Sequence, residues 1–297
     1  MPPLGKPLRR LGFLTIGLFD EDDPRRGHES TLEIIQLGER LGFDSAWVRH
    51  RHLQYGISSP VAVLAAASQR TSRIELGTAV IPLGWENPLR LAEDLATVDI
   101  LSGGRLNPGV SVGPPMRWDH VKSALYPGTG DVEDFSHDRV RRLLDLVRGE
   151  PATDGTASLR SAQLSHVRAF RAHHPDGDRA RVSQGLVVIP TDSATPGQRA
   201  RYEEYARSRL PRTASPQGPA RMMFAPDLVG TSADIAERLH DLGPFREIDE
   251  VAFALPFTFA HDDYVQILTD IATKLGPALG WQWARTAGTH TPPASGA

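Results

Sequence analysis

Apolar positions in the first half of the chain alternate between two rhythms. Leu11 to Phe19 (LGFLTIGLF) is a continuous apolar run of strand length, and Ser30 to Leu41 is helical, with Ile34, Leu37 and Leu41 on one face and a capping box from Ser30 and Glu33. Asp44 to Val48 reads as a second strand. Ser59-Pro60 starts a second helix, with Ser as N-cap and Pro in the first turn. Ile74 to Leu83 is a third strand, and Asn87-Pro88 opens a third helix that runs to Gly103-Gly104. Leu106 to Gly113 is a fourth strand, irregular at Pro108, and a fourth helix spans about Phe135 to Val147. Strand–helix units in series imply a parallel sheet with helices on its faces. No Gly-x-Gly-x-x-Gly follows the first strand, which disfavours an open dinucleotide-binding sheet and favours a closed barrel.

The second half is less regular. Pro151 to Ala157 reads as a loop, Leu159 to His173 as a helix, Val182 to Pro190 as a strand and Thr195 to Arg209 as a helix. Pro211 to Pro226 is a loop. Thr231 to Leu242 is a helix with Gly243 as its stop, Glu250 to Phe257 a strand and Asp262 to Leu275 the last helix. Residues 1–285 form one barrel domain in this reading, and residues 286–297 a disordered tail. An eight-stranded barrel needs two more clear strands than these. The expected fold is therefore α/β, a TIM-type (β/α)8 barrel with strand–helix units missing or disordered in the 150–181 region.

Composition narrows the chemistry. The chain has 297 residues, 40% hydrophobic and 23% charged, enough for a sizeable core without metal or disulfide staples. With no cysteine, disulfides, iron–sulfur clusters and thiol nucleophiles are excluded. A formal net charge of -3 argues against a nucleic-acid partner. No apolar run reaches membrane-spanning length and no convincing signal peptide is visible, so a cytoplasmic protein is expected.

Candidate chemistry concentrates at strand ends. His50, Arg51 and His52 follow the second strand, and strand alternation would send the two histidines to one side and Arg51 to the other. At a barrel's C-terminal rim such residues face a ligand; the bland alternative is a solvated basic loop. His-x-His can also chelate zinc, but no further histidine at a later strand end completes a ligand set, with His261-Asp262-Asp263 the nearest, so no metal is expected. His173-His174-Pro175 reads as a structural helix end.

Three stretches, LGFDSAWVRHRH (Leu41 to His52), SSPVAVLAAASQRTSRIELGTAVIPL (Ser58 to Leu83) and NPLRLAEDLATVDILSGGRLNPGVSVG (Asn87 to Gly113), resemble the bacterial luciferase-like flavin-dependent monooxygenases, with weaker matches at Val187 to Tyr205 and Leu228 to Leu239. The resemblance implies a TIM-type barrel binding FMN, or 8-hydroxy-5-deazaflavin, at the C-terminal strand ends. It implies oxidation of an organic small molecule by O2, with reduced FMN supplied by a separate NAD(P)H:flavin reductase, and a homodimer joined by the helices that begin near Ser59 and Asn87. Deazaflavin-dependent hydride transfer and a non-catalytic flavin-binding protein with a shortened barrel are the alternatives. His50, Arg51 and His52 would form the polar catalytic side, where a cationic cluster could stabilise an anionic reduced flavin or negative charge developing on oxygen. His50 stands where relatives carry an acid and Arg51 where they carry a histidine. Thr78, Ala79 and Val80 would line the flavin ring, with a non-proline cis bond at Ala79–Val80. Ser111 and Gly113, with Ser158, Arg160 and Ser161 at a helix N-terminus, would hold the flavin phosphate. Many relatives have an arginine where Val112 stands.

Overall fold

The computed structural model describes residues 7–148, 181–214 and 224–282. The expected loop at 151–157, the helix at 159–173 and the tail at 286–297 lie outside the described residues, as does most of the 211–226 loop.

The four opening units form as their start and stop signals dictate. Strands β1 (Arg10–Thr15), β2 (Ser45–Val48), β3 (Glu75–Pro82) and β4 (Leu106–Ser111) alternate with helices α1 (Pro24–Arg40), α2 (Pro60–Ser68) and α3 (Pro88–Ser102). Ser59 caps α2 through Ala62 N, and Asn87 caps α3 through Leu89 N and Arg90 N, each followed by Pro in the first turn. Gly103 closes α3 in the left-handed conformation at φ 71°, where a side chain would be strained. Helix α1 begins six residues before the expected Ser30 start. Asp23 is its cap, accepting from Arg26 N, and Pro24 fills its first position, so the polar segment before the apolar stripe is helical too.

Beyond β4 come α4 (Trp118–Leu125), which the sequence pattern did not reveal, and α5 (Asp138–Arg148). The expected strand Val182 to Pro190 is divided into β5 (Ser183–Gln184), which pairs with β8 (Glu250–Ala254), and β6 (Val188–Pro190), which pairs with β7 (Leu228–Gly230). A bridge from Val187 to Ala254 keeps the two halves on one path. Helix α6 (Pro196–Arg209) has the full capping box of Thr195 and Gln198, and α7 (Pro211–Ala214) is one turn inside the expected loop. Thr231 caps α8 (Ser232–Asp241). Gly243 does not end the helical segment; it opens the short α9 (Gly243–Glu247). The last helix, α10 (His261–Asp270), passes into a π-turn at Ile271–Leu275 and a short α11 (Gly276–Ala278).

All strand pairs are parallel, in the order β4-β3-β2-β1-β8-β5, with β6-β7 as a second sheet. Among the described residues β4 and β5 are the two edges, so the wall is not closed by them. The sheet is nevertheless strongly curled. Arg181 Nη2 reaches Glu75 Oε2 of β3 at 2.9 Å and Glu250 Oε1 of β8 at 2.8 Å. On a flat sheet, strands three spacings apart would lie roughly 14 Å from one another. One guanidinium nitrogen touching both agrees with strands that wrap toward a common axis, as in a barrel.

The main core lies between this sheet and the helices outside it. Leu11, Phe13, Ala46, Val48, Leu76, Val251 and Phe253 are fully buried, and Phe13 packs edge-on against Phe43 at 5.3 Å. On the other face the indole of Trp47 lies so close to Gly77 that an added Cβ would sit 2.3 Å from its Cε3. Trp281 is buried beside Phe43 and donates to Asp44, a packing role. No helix among the described residues is long and apolar enough to cross a membrane.

Candidate active site

Because every strand of the main sheet is parallel, all carboxyl ends open on one rim. Val48 pairs with Thr78 and Pro82 with Ser111, so the segments after β2, β3 and β4 are neighbours there. The chain leaving β2 forms a tight loop closed by Arg51 N donating to Ile57 O at 2.7 Å. The chain leaving β3 makes a single 3-10 turn, Leu83–Trp85, and ends at Glu86. A Cβ on Gly84 would lie 2.4 Å from Gly113 O, so glycine lets the β3 and β4 rims meet.

His50 and His52 share one side, as alternation implies. Their rings pack at 3.9 Å between centroids with planes 43° apart. His52 in turn stacks on Trp85 at 3.9 Å and 13°. The His50 side chain is only 2% exposed. Its Nε2 lies 2.6 Å from Ser58 O, which requires a proton on that nitrogen and leaves Nδ1 as the acceptor. That Nδ1 is buried without a partner, and so is Nε2 of His52. Glu86 brings Oε1 to 3.9 Å from His50 Nε2 with its side chain 28% exposed.

Electrostatics alters the expected cationic cluster. Burial, opposed by the bond to Ser58, holds His50 below the ordinary imidazole range. Burial and the neighbouring His50 push His52 down to about 4. The histidines are therefore neutral at pH 7, and positive charge rests on arginines. Arg49 and Arg51 are both shifted down, first by burial and then by Arg212 and Arg49 respectively, and no carboxylate among the described residues pairs with either. Glu86 moves the opposite way: burial, helped by Asp94, raises its carboxyl to about 7.

His50, His52 and Glu86 offer donor atoms within 4.8 Å of one another, the third donor that the sequence did not supply for a metal. The bond from His50 Nε2 to Ser58 O and the stacking of His52 on Trp85 commit part of that donor set to other contacts.

The other expected residues fall as follows. The Ala79–Val80 peptide is cis. Thr78 is fully buried, with its hydroxyl donating to Gly109 O at 2.8 Å, so its side chain serves the sheet. Ala79 is half-buried, and Val80 is 38% exposed on a strand whose neighbour Ile81 is fully buried. Ser111 ends β4 half-buried; the Gly113 N–H already donates to Phe135 O at 3.2 Å, so it is not open to a phosphate. Ser158, Arg160 and Ser161 lie outside the described residues. The sequence reading missed Trp85 and Glu86, although a Trp-Glu pair directly before a capped helix at a strand end was visible. The rim fits a flat, partly apolar, anionic group. Val80 gives an apolar face, Gly109 lets β4 come close to Thr78 O of β3, and two guanidiniums have no acid partner among the described residues.

Residues 10–149 match the family model described as luciferase-like monooxygenase. The chain is 36% identical over 94 residues to 4-hydroxyprotoasukamycin monooxygenase of Streptomyces nodosus subsp. asukaensis, covering 31% of this chain and 25% of the relative. It is 32% identical over 128 residues to F420-dependent glucose-6-phosphate dehydrogenase of Amycolatopsis mediterranei, covering 41% of this chain and 37% of the relative. The matched part thus spans only about a quarter to two-fifths of these relatives' length. Among solved structures, monooxygenase RslO1 of Streptomyces bottropensis superposes with a TM-score of 0.66 at 18% identity, covering 90% of this chain and 99% of that one. The oxygenating constituent of 3,6-diketocamphane monooxygenase of Pseudomonas putida, in complex with FMN, superposes at 0.59 and 13% identity, covering 91% and 98%. The fold is the luciferase-like α/β barrel class.

Proposed function

Residues 10–149 belong to the luciferase-like monooxygenase family, and from that premise we infer that this chain is the oxygenase component of a two-component flavin monooxygenase. It takes reduced FMN from an NAD(P)H:flavin reductase and uses O2 to oxidise an organic small molecule. The observation that carries this reading is the neutral His50–His52–Trp85 stack on the rim beyond β2 and β3, the latter being the strand that carries the exposed Val80.

The bound flavin would supply electrons to oxygen, the chemistry that side chains cannot perform. The protein's residues do the rest. Val80 offers the ring an apolar contact. Arg49 and Arg51 favour an anionic ligand because no carboxylate among the described residues neutralises them. Trp85 and the two imidazoles exclude water, which strengthens every charge interaction inside. His50, with Nε2 fixed by Ser58 O, presents Nδ1 as a proton acceptor in one tautomer. Two copies would associate through α2 and α3.

The second reading, deazaflavin-dependent hydride transfer, is favoured by one observation: the match to the F420-dependent dehydrogenase covers 41% of the chain, against 31% for the monooxygenase. One experiment separates the two. The protein is mixed anaerobically with reduced FMN or with reduced deazaflavin, and oxygen is then admitted. Tight binding of reduced FMN and oxygen-dependent conversion of a test substrate support the first. Binding of deazaflavin alone, with oxygen-independent hydride transfer, replaces it with the second.

A further inference from the structure

We propose that Glu86 is a positioning residue that balances the charge of a protonated His50 by releasing its own proton to solvent. This deepens the flavin-enzyme reading and rests on it for the identity of the reaction served.

The geometry divides the pair into an inner and an outer member. His50 is sealed at 2% exposure, its Nε2–H held by Ser58 O, and its only open valence is the unpartnered Nδ1. A proton that reaches His50 is therefore held at Nδ1 and leaves a buried imidazolium. An isolated buried cation is costly. The groups that face it decide whether it can form. His52 packs against it and is neutral, and Arg49 and Arg51 nearby in the chain are positive and oppose it. Among the described residues only Glu86, 3.9 Å from Nε2, can become negative there.

Glu86 is suited to ionise on demand. Its surroundings include Asp94 on α3, already engaged by Arg90, and Arg139, whose Nη1 donates to the Glu86 backbone O at 3.2 Å while its Nη2 is paired with Glu133. Tyr126, whose hydroxyl donates to Gly84 O, is a further titratable neighbour. None of these pairs with the Glu86 carboxyl, so its charge is left to respond to His50. At 28% exposure it reaches water, which His50 does not. The step balances in atoms and charge: substrate–H, neutral His50 and protonated Glu86 become deprotonated substrate, protonated His50, ionised Glu86 and one proton released to solvent. His50 later returns its proton, and Glu86 takes one back from water.

Two measurements test this on the full chain. Histidine-selective NMR titration of the resting protein needs no flavin and no turnover. With Glu86 in place, the His50 signals should show an inflection near neutral pH as the carboxyl ionises. In Glu86→Gln that inflection should vanish, and Glu86→Asp should restore part of it. A His50 titration identical in the wild type and Glu86→Gln overturns the proposal, as does stoichiometric zinc binding that Glu86→Gln abolishes. In turnover, Glu86→Gln should lower kcat about tenfold or more with KM little changed, and should remove the limb near pH 7 from the pH profile. An unmoved profile overturns the proposed role. Absence of any flavin-dependent turnover in the wild type, with the NMR inflection present, would instead remove the flavin reading and leave the Glu86–His50 coupling standing.

Discussion

His52 lies flat on the indole of Trp85, ring centroids 3.9 Å apart and planes 13° from parallel. A flat stack covers the imidazole face and keeps water away from it, and burial is the leading cause of its low affinity for protons. Trp85→Ala should open that face and move the His52 pKa from about 4 back toward the ordinary histidine range, whereas Trp85→Phe should keep it low. NMR titration of the His52 ring reads the difference. A His52 that stays low in Trp85→Ala would show that Trp85 is not what shields it.

The same shifts make stability depend on pH with two opposing slopes. Glu86 binds its proton more tightly folded, at about 7, than unfolded, near 4.5, so its contribution is present below 4.5 and lost as pH rises toward 7. His52 binds its proton less tightly folded, at about 4, than unfolded, near 6.5; its contribution is present above 6.5 and lost as pH falls toward 4. Between 4.5 and 6.5 the two oppose each other. Glu86→Gln should unmask a rise of stability with pH across that window, and His52→Phe a fall, each of about 1–3 kcal/mol. Urea melts at several pH values measure this, and parallel curves for all three proteins would contradict the assigned directions.

Arg105 ties together parts that are remote in sequence. Its guanidinium donates to Ser102 O, Ile74 O, Ser68 O, Thr71 O and Thr71 Oγ1, all at 2.7–3.0 Å. These sit at the ends of α2 and α3 and just before β3. Arg105→Met should cost about 3 kcal/mol by leaving carbonyls without donors, and Arg105→Lys should recover little because one ammonium cannot match the planar fork. Denaturant unfolding decides it; a loss below ~1 kcal/mol would mean water replaces the guanidinium.

The legible parts of this chain are those written in local signals. Ser59-Pro60, Asn87-Pro88, Thr195 and Thr231 each start a helix where expected, because capping is decided within four residues. The shared side of His50 and His52 followed from strand alternation. Glu86 was not legible as their partner. It lies 36 positions after His50, and only the parallel register of β2 with β3 makes them neighbours. The charge of the histidines was misread for a related reason: sequence shows two bases beside an arginine, while burial among residues distant in sequence makes them neutral. The single strand expected at 182–190 divides because its halves pair with different partners, β8 and β7, a choice made by the sheet.

The proposed dimer rests on one face of α3. Leu89 is 53% exposed, Ile100 79% and Leu101 52%, and α5 beside it exposes Leu144 at 43% and Val147 at 52%. Leu89 and Ile100 are 11 residues apart, close to three full turns, so they stand on the same side of the helix. Scattered apolar residues need no partner, but large ones aligned on one helix and continued on its neighbour make a patch. The Ala-rich α2, packed beside α3, adds small side chains that allow a second helix to come close. A two-fold partner laid on this face would cover the patch twice, once from each copy. Ile100→Glu places a charge at its centre, and burying an unpaired carboxylate costs more than the lost apolar contact alone. Light scattering at micromolar concentration should show a dimer for the wild type and a monomer for Ile100→Glu, with the fold of each checked by circular dichroism. A wild-type monomer would remove the dimer, and an Ile100→Glu dimer would move the interface to another surface.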